Sequence, residues 1–85
     1  MYKLVFTRQA AKALQRIPRE TVGLIREKLE EIANSPYAQY QNATKLQGRP
    51  GYRLRVGDWR VIYEIRNNEL VIMVLKIAPR GEVYR

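Results

Sequence analysis

The chain has 85 residues, 46% of them hydrophobic, which is enough for one domain over residues 1–85 and too little for a second. Sixteen Lys and Arg against eight Asp and Glu give a net charge of +8, and eleven of the sixteen are arginines, so the expected partner is a polyanion, nucleic acid first. With no cysteine and no histidine, the composition excludes disulfides, thiolate zinc sites, iron–sulfur clusters, a cysteine nucleophile and a histidine base.

Residues 2–6 (Tyr-Lys-Leu-Val-Phe) are β-branched and aromatic enough for a short strand, and Thr7 offers a hydroxyl as a helix N-cap. Ala10, Ala13, Leu14 and Ile17 then fall at i, i+3, i+4 and i+7, one stripe of a helix that Pro18 ends. Pro18 also suits the opening of a second helix, whose stripe is Val22, Ile25, Leu29, Ile32 and Ala33 and which stops at Asn34-Ser35-Pro36. Residues 35–51, with two prolines, two glycines and a run of Tyr, Gln and Asn, read as a polar loop long enough to imply a function or a contact.

The remainder alternates with period two. Tyr52, Leu54 and Val56 share one face and Arg53 and Arg55 the other. Gly57-Asp58 forms a two-residue hairpin turn, after which Trp59, Val61, Tyr63 and Ile65 share a face opposite Arg60, Ile62, Glu64 and Arg66. Asn67-Asn68 suits a second tight turn. Leu70 to Ile77 is almost continuously apolar, as for an interior strand, and Pro79 ends it. The predicted class is α+β in the order β-α-α-β-β-β, a small, mostly antiparallel sheet backed by a helical hairpin. No segment approaches the roughly 20 apolar residues of a membrane span. Met1 to Phe6 has neither a long apolar run nor a small-residue cleavage site, so no membrane association and a cytoplasmic location are expected.

Charge is unevenly placed. Residues 45–60 hold five basic side chains, Lys45, Arg49, Arg53, Arg55 and Arg60, against the single acid Asp58. The hairpin register pairs Arg55 with Arg60, and alternation puts Arg53 on the same face. Like charges directly opposed on paired strands destabilise a sheet, so the cluster is expected to hold an anion. The opposite face must bury the helices, which leaves the arginine face open. Arg80, after the last strand, would add a phosphate donor, and Tyr84 a flat ring for stacking on single-stranded RNA.

Three segments, Lys45-Leu46-Gln47-Gly48-Arg49-Pro50-Gly51-Tyr52-Arg53-Leu54-Arg55-Val56, Trp59-Arg60-Val61-Ile62-Tyr63-Glu64-Ile65 and Arg80-Gly81-Glu82-Val83-Tyr84, together with the opening strand and helical hairpin, resemble the RelE/ParE toxin superfamily, most of all its RelE branch. The resemblance implies the toxin of a type II toxin–antitoxin pair: a ribosome-dependent mRNA endonuclease that cuts in the A site, by attack of the ribose 2′-hydroxyl, to leave a 2′,3′-cyclic phosphate. It implies no cofactor and no metal, a ribosome carrying mRNA in its A site as target, and a cognate acidic antitoxin as partner. Carried onto this chain, the catalytic set is Arg53, Arg55, Arg60, Arg80 and Tyr84, with Lys45 and Arg49 on the RNA. Arginine does not lose its proton near neutral pH, so Arg53 cannot act as a general base, which leaves Tyr84 in that role or a mechanism of orientation and charge stabilisation alone. The alternatives are a ParE-like gyrase inhibitor on the same fold, or a relative that binds RNA or protein without catalysis.

Overall fold

The structure, a computed structural model, describes residues 1–82. Strand β1 spans Lys3–Phe6, helix α1 Arg8–Arg16 and helix α2 Arg19–Asn34, followed by β2 (Ala43–Lys45), β3 (Tyr52–Val56), β4 (Trp59–Arg66) and β5 (Val71–Pro79). Thr7 caps α1 as its hydroxyl foretold: Oγ1 accepts from the Ala10 amide at 3.2 Å and donates to the Leu75 carbonyl at 2.7 Å, tying the helix start to the sheet. Pro18, with no N–H to satisfy, caps α2.

The strand order is β1-β5-β4-β3-β2. β2–β3, β3–β4 and β4–β5 pair antiparallel, while β1 lies parallel to β5 in the register Lys3↔Val71 to Phe6↔Val74. Both helices cover one sheet face. Ala10 and Ile17 of the first helical region, with Ile25, Leu29, Ile32 and Ala33 of α2, pack on Leu54, Val56, Val61, Tyr63, Ile72, Val74 and Ile77. Ile25, Leu29, Val61 and Ile72 are wholly excluded from solvent, each contributing roughly 1.5–3 kcal/mol of transfer free energy.

Three expectations need correction. The segment 35–51 is not loop throughout. Ala43–Lys45 forms the edge strand β2, paired Ala43↔Leu54, Thr44↔Arg53 and Lys45↔Tyr52, so the order is β-α-α-β-β-β-β. Three residues are too few for a period-two signal, and pairing with β3 alone makes them a strand. The β4–β5 connection is a four-residue turn rather than an Asn67-Asn68 pair: the Leu70 amide donates to the Asn67 carbonyl, Leu70 takes φ +54°, and β5 opens at Val71. Finally, the face away from the helices is not wholly open. Ile62 and Ala78 are buried there beneath Leu46 and Leu75.

That small cluster has two local causes. In β5 the register steps from Tyr63↔Val74 to Ile62↔Lys76, leaving Leu75 as the extra residue of a bulge. The bulge switches the phase of the strand, so Ile72 and Val74 before it and Ile77 after it all reach the helix side. Just beyond β2, Leu46 is drawn in by the hydrogen bond its amide donates to the Gly51 carbonyl at 2.9 Å. Gly51 has φ +111°, and a Cβ there would lie 2.9 Å from the backbone oxygen of Tyr63, so only glycine lets the 46–51 loop lie this close to β4.

Candidate functional site

The β3–β4 hairpin has the register its sequence implied: Val56↔Trp59 flank the turn, Arg55 faces Arg60, and Arg53 faces Ile62. Arg53, Arg55 and Arg60 therefore stand on the helix-free face. The Arg60 guanidinium is held in plane from behind, because its Nη1 donates to the carbonyls of Gly57 and Trp59, both at 2.9 Å. Arg80 arrives from the far end of β5. Pro79 is in register with Trp59, and the Arg80 amide donates to the Asp58 carbonyl at 2.7 Å, so the turn that joins β3 to β4 also anchors the fourth arginine.

These four side chains line one open pocket of about 320 Å³. The rest of its lining is neutral, formed by the polar Gln41, Asn42 and Thr44 together with Gly81. The Arg55 amide donates to the Asn42 carbonyl at 2.8 Å, which extends the β2–β3 ladder to the pocket's rim. Charge crowding is registered at Arg60, whose pKa is lowered from the ordinary arginine value by desolvation first, and then by the fields of Arg55, Arg80 and Arg53, with Asp58 opposing them. Among the described residues no carboxylate forms an ion pair with Arg55, Arg60 or Arg80; the pair that does form, Arg66–Glu64 at 3.1 Å, lies at the other end of β4. The site is thus a concentration of positive charge in which four arginines line one pocket, an arrangement suited to holding an anion.

Lys45 and Arg49 lie next door rather than in the pocket. With Leu46 and Gln47 they line a second groove that shares Thr44 and Arg53 with the first. Lys45 pairs with Tyr52, so the strand pleat directs it to the face opposite Thr44. Tyr84 lies outside the described residues. Sequence reasoning missed the neutral lining: the Tyr-Gln-Asn run was visible, but only the pairing of β2 with β3 brings it to the arginine pocket. It also passed over Lys76, masked by its apolar run, which the bulge sets opposite Ile62 on the arginine face.

The family model for the ParE toxin of type II toxin–antitoxin systems matches residues 4–84. The chain belongs to the RelE/ParE toxin superfamily. Within the superfamily this toxin is most like RelE. It is 32% identical to the archaeal RelE crystallised as a RelE–RelB complex from Pyrococcus horikoshii, with a TM-score of 0.80 over 96% of this chain and 98% of that one. It is 27% identical to the isolated E. coli RelE toxin, with a TM-score of 0.81 over 99% and 92%. A YoeB/ParE toxin from Agrobacterium tumefaciens, 19% identical at a TM-score of 0.79 over 92% and 98%, shares the fold alone. No curated protein matches by sequence. The fold is therefore shared by chains of low mutual identity and does not by itself set the activity, so the arginine pocket must carry any finer distinction.

Proposed function

We propose that this toxin is a ribosome-dependent mRNA endonuclease acting in the A site. One observation carries the reading: four guanidinium groups from three separate segments converge on a single open pocket, at an electrostatic cost that a phosphodiester would offset. In the reaction, the ribose 2′-oxygen bonds to the adjacent phosphorus, the bond from phosphorus to the 5′-oxygen breaks, and the products end in a 2′,3′-cyclic phosphate and a 5′-hydroxyl. Arg55 and Arg60 bind the non-bridging oxygens, where negative charge concentrates in the phosphorane. Arg80 donates a hydrogen bond to the departing 5′-oxygen, which takes its proton from solvent. Arg53, at the mouth shared with the second groove, holds the flanking phosphate, and Arg49, in that groove, guides the strand towards it. The proton of the 2′-hydroxyl passes to water, or to Tyr84 in its phenolate form, since none of the four arginines can accept it. In-line orientation and charge stabilisation supply most of the acceleration.

The toxin would act in the cytoplasm, where its ribosomal target is found, and be held silent by a cognate acidic antitoxin. The RelE–RelB assembly of its Pyrococcus horikoshii relative and the +8 charge of this chain both favour such a partner. Mapping mRNA 5′ ends after induction tests the activity. Codon-phased cuts should fall about 10²- to 10³-fold in Arg60→Ala, the loss typical of removing one oxyanion donor. Intact transcripts accompanied by gyrase-linked DNA breaks would instead establish the second reading, a ParE-like gyrase inhibitor, which the name of the matching family model favours.

A further inference from the structure

Guanidinium-bearing and carboxamide-bearing residues line the same pocket, and the two groups are suited to different parts of a nucleotide. A guanidinium binds phosphate whatever base it carries, so the arginine wall positions the strand and transmits no sequence information. A carboxamide presents a donor and an acceptor side by side, the pair needed to tell one base edge from another. Resting on the nuclease reading above, we infer that Gln41 and Asn42 are specificity-determining residues, which read the base of the nucleotide whose phosphate the arginines hold.

The local structure supports a reader rather than a loose loop. Tyr40, the residue before Gln41, donates its hydroxyl proton within hydrogen-bond reach of both the Glu31 carbonyl, at 2.8 Å, and the Ser35 carbonyl, at 2.9 Å, clamping the chain to the end of α2. The Ala43 amide donates to the Tyr40 carbonyl at 3.2 Å and the Asn42 carbonyl accepts from Arg55, so the backbone is fixed on both sides of the two amides. Their backbone is thereby pre-positioned where both residues line the pocket, Asn42 half-buried and Gln41 exposed. Among the described residues neither carboxamide has a hydrogen-bond partner, leaving both available for a single-stranded base presented on its Watson–Crick or Hoogsteen edge. Thr44, facing Arg53 across the strands, adds a hydroxyl to the pocket lining.

The test is induction of the full chain and of Gln41→Ala, Asn42→Ala and the double variant, with 5′-end mapping across the transcriptome. The preference among bases at the cut should fall about ten-fold in the double variant, while cutting at the least favoured sites persists. A base distribution that coincides with that of the parent chain overturns the inference and leaves the nuclease reading intact. If the parent chain cuts nothing, the nuclease reading falls, and binding of 2′-O-methyl trinucleotides of varied base decides the inference. Base-dependent affinity that is levelled in the double variant supports it, and equal affinity for all bases, or no binding, overturns it.

Discussion

Replacing Gly51 with alanine perturbs the one position where backbone conformation and packing both demand the absence of a side chain. At φ +111° an L-residue is strained by about 1–3 kcal/mol. The new methyl would in addition stand 2.9 Å from the Tyr63 carbonyl oxygen, closer than real Cβ contacts come. That oxygen belongs to β4, the middle strand, and cannot retreat without disturbing pairing on both sides. Relief must come from the 46–51 loop, loosening the Leu46–Gly51 hydrogen bond and lifting Leu46 from Ile62. Together these effects predict a loss of about 2–4 kcal/mol, or roughly 10–25 °C in Tm for a domain of this size. Gly48→Ala is the internal control. Its φ of +76° is also left-handed, but nothing lies within 4 Å of the added methyl, so about 1 kcal/mol and roughly 4–8 °C are expected. Thermal unfolding followed by circular dichroism at one salt concentration measures both. Equal losses in the two variants would refute the argument that the Tyr63 carbonyl makes Gly51 irreplaceable.

Other expectations follow from the site and its supports. Arg55→Gln, which relieves the cross-strand repulsion with Arg60, should raise Tm by roughly 1–4 °C at low ionic strength, with the gain shrinking towards 1 M salt, and should abolish RNA cleavage. Tyr40→Phe removes the hydroxyl that clamps the 40–43 segment and should cost about 1 kcal/mol, with faster hydrogen exchange at the Ala43 amide while that of Val61 is unchanged. Alkaline stability is governed by two phenols raised above their ordinary 10.0: Tyr63 by burial and then by Tyr52 and Tyr40, and Tyr40 by burial and then by Glu31. A raised folded-state pKa means the neutral form is stabilised. The contribution is therefore whole below about pH 10 and is lost as pH climbs from there towards the folded-state values. Urea midpoints measured between pH 8 and 11 should fall at the alkaline end, and Tyr63→Phe should flatten that slope.

The amino-acid order alone carried the helices, the hairpin and the arginine register. Thr7, Pro18 and the stripes from Ala10 to Ala33 are local signals, read within one turn of helix, and the Gly57-Asp58 turn sets every pairing from Arg53↔Ile62 to Val56↔Trp59 by counting outwards from two residues. The opposition of Arg55 and Arg60 was legible for that reason. What tertiary structure decided lies wherever a residue's role depends on a partner distant in the chain. Ala43–Lys45 becomes a strand only against β3, and that pairing turns a polar loop into the neutral part of the arginine pocket's lining. The Leu75 bulge, invisible in an unbroken apolar run, is imposed by the fit of β5 to β4 and rotates Lys76 onto the arginine face. Arg80 reaches the pocket because β5 ends beside the Asp58 turn, a meeting of segments more than twenty residues apart that the fold creates and local periodicity does not encode.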